Sequence, residues 1–255
     1  MDLAQSHILI TGGSEGIGYG LASLFMKAGS SVLITGRNPE KLQQAATTLP
    51  GLKTFAGDIG DAKQREMLAI FIQETMQDLN IVINNAGIQR RISLAADNAS
   101  WSERQNEIDI LLSGPIHLNH LLIPVLLAHR KPSFIINVTS GGAYIPQVFA
   151  PVYSACKAAL HSYTMTLRHS LANTSCKVIE LIPPAVQTGL AGLDAPHGVD
   201  LNDFCKAVFL KLTEGDTTEI GYGPTADLVS ELSGKPVVDL FEANSSRFPV
   251  STYAI

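Results

Sequence analysis

Thr11-Gly12-Gly13-Ser14-Glu15-Gly16-Ile17-Gly18 is the stretch on which the fold turns. A short apolar run, residues 7–11, leads into it, and a helical pattern begins at Gly18. Glycines at a strand-to-helix turn let the backbone come close to a pyrophosphate, and the open N–H groups of the helix N-terminus bind the anion. Any tight turn can call for glycine. The position of this one, after the first strand and before a helix, makes it a nucleotide-binding signal.

Outward from that turn the chain keeps a steady rhythm. Apolar runs at 7–11, 31–35, 52–56, 81–84, 134–139 and 177–182 read as strands. They do not alternate in and out, which suits strands buried on both faces of a parallel sheet. Helical patterns at 18–28, 39–48, 62–77, 101–128 and 152–172 fill the gaps. Repeated βαβ units of this kind predict an α/β, doubly wound, Rossmann-type sheet. No repeat or linker divides the chain, so residues 1–243 read as a single domain with a substrate-loop segment at about 184–210. Within it, 189–198 is rich in Gly, Ala and Pro and reads as a loop, and the small, polar tail 244–255 as poorly ordered.

Composition narrows the function. The 255 residues carry a formal net charge of −5, with 45% hydrophobic and 16% charged residues. A mildly acidic chain has no general attraction for nucleic acid or anionic lipid. Cys156, Cys176 and Cys205 are odd in number and widely spaced, as in a cytoplasmic protein with reduced thiols. The N-terminus lacks the basic start and apolar stretch of a signal peptide. The longest apolar stretch, 118–127, is interrupted by His120 and Pro124 and is too short to span a membrane. His117 and His120 have no further ligands at metal-binding spacing, so no metal site is expected.

The turn's Thr-Gly-x-x-x-Gly-x-Gly spacing resembles the short-chain dehydrogenase/reductase family, and four further motifs join it. Asn84-Asn85-Ala86-Gly87 follows the fourth strand, and Ser140 follows the fifth. Tyr153 and Lys157 form a Tyr-x-x-x-Lys pair thirteen residues after that serine. Pro183-Pro184-Ala185-Val186-Gln187-Thr188 resembles the family's Pro-Gly-x-Val-x-Thr, with proline for glycine. The resemblance covers about residues 6–190. It is nearest to a branch labelled oxidoreductases of lipoteichoic-acid D-alanylation operons, a label of gene neighbourhood that names no reaction.

The resemblance implies hydride transfer between a nicotinamide dinucleotide and a carbonyl/alcohol pair, with Ser140, Tyr153 and Lys157 as the catalytic group. Tyrosine is a poor base at neutral pH, and a fixed cation nearby favours its phenolate. One helical turn separates Tyr153 from Lys157, so their side chains share a face. Ser140 would donate to the substrate oxygen. The cofactor residues implied are Gly12, Ser14, Glu15, Gly16, Ile17, Gly18, Arg37, Asp58, Ile59, Asn85, Ala86, Gly87, Tyr153, Lys157, Val186 and Thr188. The second strand ends at Gly36-Arg37 with no acidic residue for a ribose 2′-hydroxyl. NADP(H) is therefore favoured through Arg37, although Glu15 would repel a phosphate and NAD(H) stays open.

The family's fourth catalytic position, an asparagine, is here Leu111. In the family it helps kink the helix, and its carbonyl holds a water that feeds the lysine. Pro115 has no N–H to offer that carbonyl, so the kink is expected to persist. The substrate region is expected at 141–151, 189–204 and the C-terminal segment, and the substrate is not legible. Arg90 and Arg91 read as solvated loop residues, with attraction of an anionic substrate at the cleft mouth as the lesser alternative, and Cys156 as packing. The two long helices suggest a homodimer, with a tetramer also open. The competing reading is a dinucleotide-binding redox sensor with little turnover.

Overall fold

The computed structural model describes residues 3–92, 94–190, 198–215 and 217–226. Seven parallel strands lie in the order β3-β2-β1-β4-β5-β6-β7. They are β1 His7–Thr11, β2 Ser31–Gly36, β3 Lys53–Ala56, β4 Ile81–Asn84, β5 Ser133–Val138, β6 Cys176–Ile182 and β7 Glu219–Gly221. The helices are α1 Gly16–Lys27, α2 Pro39–Thr48, α3 Ala62–Thr75, α4 Trp101–Ile108, α5 Gly114–Ala128, α6 Pro151–Ser170 and α7 Leu201–Glu214.

Every residue of β4 and β5 is buried, because helices cover both faces of the sheet. One apolar cluster lies under α1 and α7, with Ile8, Ile10, Phe25 and Phe204 at its centre. The other lies under α3 and α5, around Leu9, Ile72, Val82 and Leu122. Strand order reverses between β1 and β4, which opens a crevice beyond their carboxyl ends, the usual ligand site of such a sheet.

Three features depart from the sequence expectation. The last pair, α7 and β7, lies beyond the predicted elements. The stretch 101–128 is continuous but not uniform: a π-helical turn, Asp109–Ser113, separates α4 from α5. Pro115 cannot donate to Leu111, so the regular ladder breaks, and Gly114 N–H reaches back to the Asp109 carbonyl. That helical stretch is also long and apolar enough to cross a membrane. Half of its most apolar window is buried, however, with Leu118, Leu122, Ile123 and Leu126 packed in the core.

Side chains of Asn38, Asp61, Ser100 and Asp200 cap α2, α3, α4 and α7. The start of α1 differs: Glu15 stands at its N-cap and makes no side-chain capping bond. Its first N–H groups are thus left for another acceptor. The tail 244–255 and most of the expected loop 189–198 lie outside the described residues.

Candidate active site

The glycine turn is shaped by close approach. Gly12 has φ +64°, and a Cβ there would stand 2.8 Å from Ala86 Cα. A Cβ on Gly18 would fall 2.4 Å from the Gly12 carbonyl oxygen. Asn85 clamps the turn, its amide donating to the carbonyls of Thr11 and Gly12 at 3.0 Å each. The Thr11 hydroxyl accepts from the backbone N–H of Asn85 and of Ala86. The motifs at 11–18 and 84–87 therefore form one rigid floor at the β1/β4 crevice. Thr188 packs against Gly16 from the other side, and Val186 is buried and bridged to Val199.

This floor suits a dinucleotide. The uncapped N–H groups of α1 face the turn, and the backbone is bare enough for a pyrophosphate to approach. Ser14 lies beside Gly36 at the end of β2. Arg37 is half exposed, 3.8 Å from Asp58. Ile59 is buried, its carbonyl accepting from Arg65 at 2.6 Å. Glu15, expected to repel a 2′-phosphate, is bridged at 2.8 Å by Lys41, a residue that sequence reading did not single out.

Ser140, Tyr153 and Lys157 come together where β5 and α6 meet, all buried. The Ser140 hydroxyl accepts from Gly142 N–H, which fixes the short turn after β5. Lys157 Nζ donates to the Val138 carbonyl at 2.6 Å and lies 5.6 Å from the centre of the Tyr153 ring. Burial lowers the Lys157 ammonium from 10.5 to about 8. Burial also raises the Tyr153 phenol above its ordinary value, while Ser140 as a hydrogen-bond partner pulls the other way and the charge of Glu107 pushes it further up. Against the lowering expected from the lysine, desolvation of the phenolate is the largest influence on Tyr153.

Leu111 is fully buried and joins Ala150, Tyr153 and Cys156 in a small apolar cluster. Around the mouth, Gln89 donates to Gln147 at 3.1 Å, and the Arg91 guanidinium sits 4.7 Å over the Phe149 ring. The loop after Gly87 is thereby tied to the one after Ser140. Arg90 is not a solvated residue. It pairs with Asp97 at 2.8 Å, and Arg104 joins the same carboxylate at 3.0 Å. These two guanidiniums hold Asp97 well below the usual carboxylate range. Glu107, missed from the sequence, is buried with one oxygen on the Arg90 N–H, and burial raises its carboxyl. His117 takes a structural role, accepting from Arg65.

Residues 6–196 match the family model described as short chain dehydrogenase. The chain is 41% identical over 190 residues to the uncharacterized oxidoreductase DltE of Bacillus subtilis (strain 168), covering 74% of this chain and 75% of that one. It is 30% identical over 240 residues to an uncharacterized oxidoreductase of Staphylococcus aureus (strain MW2), covering 92% and 99%. Among solved structures, it resembles a short chain dehydrogenase from Burkholderia cenocepacia J2315 in complex with NADP, with TM-score 0.80, 23% identity and coverage of 98% and 100%. A Burkholderia phymatum short chain dehydrogenase/reductase in complex with NAD gives TM-score 0.82 at 18% identity, covering 100% and 99%.

Proposed function

Because the chain belongs to the short chain dehydrogenase family, we propose that it is an oxidoreductase moving a hydride between NADPH and a carbonyl/alcohol substrate, with Tyr153 as acid/base. The observation that carries this reading is the convergence of Ser140, Tyr153 and Lys157 at the carboxyl end of β5, in the same sheet whose β1 leads to the uncapped N-terminus of α1. A redox sensor would need the dinucleotide floor but not that convergence.

The bound nicotinamide supplies or accepts the hydride. Gly12, Ser14, Glu15, Gly16, Ile17 and Gly18 hold the pyrophosphate side, with Asn85, Ala86 and Gly87 as the opposite wall. Arg37 meets a 2′-phosphate, and Lys41 neutralises Glu15 nearby. Asp58 and Ile59 flank the adenine, and Val186 and Thr188 the nicotinamide end. Ser140 donates to the substrate oxygen, and Tyr153 gives it a proton in the reductive direction. Lys157 holds the ribose and favours the phenolate left on Tyr153. Its lowered pKa suits it to return a proton to that phenolate.

The exposed face of α4 and α6 fits a homodimer. It carries a groove of about 490 Å³ lined by Leu94, Trp101, Ile108, Leu112, Val152 and Ala155. Leu94 and Trp101 are 72% and 65% exposed side by side in this lining, and a contiguous exposed apolar patch marks an interaction site.

A panel of carbonyls and alcohols, screened with NADPH and NADH, tests the reading. Turnover with any carbonyl is expected, and faster with NADPH. Tight dinucleotide binding with no turnover across the panel would turn the reading to the sensor.

A further inference from the structure

Asn84, Asn137, Glu180 and Glu219 stand opposite one another across β4, β5, β6 and β7. This polar row runs through the sheet beneath α6. At its centre Glu180 is fully buried. An unsolvated carboxylate in a strand whose other buried residues are apolar needs partners, since burying a charge is costly unless it is paired and hydrogen-bonded. It has three. The Thr139 hydroxyl donates to one oxygen at 2.6 Å. The other oxygen lies 2.8 Å from His161 Nδ1 and 3.5 Å from the Tyr144 hydroxyl. Tyr144 also contacts His161 Nδ1 at 3.1 Å, and the two rings are 4.7 Å apart.

The sequence positions of these partners matter. Thr139 immediately precedes Ser140, and Tyr144 closes the short turn that follows it. His161 lies one helical turn after Lys157 on α6. One buried carboxylate thus grips side chains on both sides of the serine and ties them to the helix bearing Tyr153 and Lys157. We propose that Glu180 and His161 are positioning residues for the proposed reaction, holding the Thr139–Tyr144 segment so that Ser140 stays aimed at the substrate oxygen. This rests on the reading of Ser140 as the oxygen's hydrogen-bond donor.

The hold depends on the proton of His161. Burial disfavours the imidazolium, but the hydrogen bond and charge of Glu180, with the charge of Glu219, outweigh it and raise His161 above its ordinary value. Arg168 opposes this, and it faces Glu219 at 3.7 Å. The phenol of Tyr144 is raised by burial and by the same carboxylates, so it stays protonated. While His161 is charged, Nδ1–H donates to Glu180 and the Tyr144 hydroxyl is left to the carboxylate. Once neutral, His161 keeps its remaining proton on Nδ1, where the Glu180 carboxylate accepts it, and the bond loses the charge that strengthened it. The clamp is complete below the ordinary imidazole pKa and loosens as pH rises through the raised one.

The test uses the full chain and the variants Tyr144→Phe, His161→Gln and Glu180→Gln. Two readouts are taken from pH 6 to 10. One is kcat and KM with a carbonyl that the native protein reduces, alongside NADPH affinity. The other is amide hydrogen exchange of residues 138–150, corrected for intrinsic rates. Tyr144→Phe removes one hydroxyl and keeps the ring, so it is the variant safest for folding. It should lower kcat roughly three- to tenfold, the worth of one hydrogen bond, with NADPH affinity unchanged and exchange of the segment faster. His161→Gln should flatten the pH dependence of protection seen in the native chain, and Glu180→Gln should lose both kcat and protection. If the native chain reduces no carbonyl, the proposed function fails, and protection alone then judges the clamp. Native protection and kcat in both Tyr144→Phe and Glu180→Gln, or an unchanged pH dependence in His161→Gln, would overturn it.

Discussion

Leu111→Asn places the family's asparagine back into this chain, and the structure says it will not be welcomed. Leu111 is fully buried against Ala150, Tyr153 and Cys156. A Cβ on Gly87 would stand 3.3 Å from its Cδ2, so it packs under the dinucleotide floor. Losing a buried leucine costs about 2–5 kcal/mol, and an unpartnered amide adds about 1–3 kcal/mol. Asparagine keeps some of the volume, so a net loss of about 3–5 kcal/mol is expected. At roughly 2–4 °C per kcal/mol for a chain of this size, Tm should fall by about 6–20 °C. Thermal unfolding gives the number, and steady-state kinetics below the transition gives the companion result. No large gain in turnover is expected, because Pro115 already leaves the Leu111 carbonyl without its helical donor. Pro115→Ala should then lower turnover, since the restored N–H can close the π turn into a regular helix. A Tm within about 2 °C of native would mean the amide finds partners that the apolar surroundings do not suggest. Raised turnover in Leu111→Asn with none lost in Pro115→Ala would refute the idea that the proline compensates.

Tyr153→Phe should cut turnover by at least about 10²-fold, the scale of general acid–base catalysis, with NADPH affinity intact; near-native kinetics would show that another group handles the proton. Gly18→Ala forces a methyl to 2.4 Å from the Gly12 carbonyl, so calorimetry should find NADPH binding weakened by at least about tenfold. Arg37→Ala should weaken NADPH by roughly tenfold and NADH little, since a charge-assisted bond to phosphate is worth about 1.5–3 kcal/mol; equal losses would remove Arg37 from the phosphate site. Lys157→Met should abolish turnover yet raise stability at pH 7. The buried ammonium's drop from 10.5 to about 8 corresponds to about 3 kcal/mol, offset in part by the lost bond to Val138. That cost is full below about pH 8 and is relieved between there and 10.5, so the advantage of the variant should shrink in that window.

The fold could be read because parallel strands buried on both faces are apolar throughout. Predicted and observed ends of the first six strands agree within a residue. The turn at 11–18 and the pair Tyr153 and Lys157 were legible because each is a local pattern. β7 has only three residues, too few for a period, and α7 follows the Gly- and Pro-rich stretch, which drew the reading toward loop. Contacts made only by folding stayed hidden. Glu180 reaches His161 across nineteen residues and Thr139 across forty-one. A lone carboxylate inside the run 177–182 was the available clue. Lys41 beside Glu15 joins two different βα turns, and Asp97 draws in Arg90 and Arg104 from opposite sides of a loop. In none of these does the sequence carry a spacing rule.

Burial raises Cys156 and Cys176 to about 11 and Cys205 to about 12. At pH 7 only about one in 10⁴ of the first two thiols is ionised, and fewer still of the third. A thiol-alkylating reagent therefore reacts with this protein at a rate governed by how often each site opens. Cys205 packs against Gly20 of α1, so its labelling clocks the parting of α7 from the helix that starts at the glycine turn. Cys156 clocks the helix of Tyr153 and Lys157, and Cys176 the start of β6. The chain thus carries three native reporters of local unfolding, spaced across the molecule, and dinucleotide binding should slow labelling of Cys205 and Cys156 far more than that of Cys176.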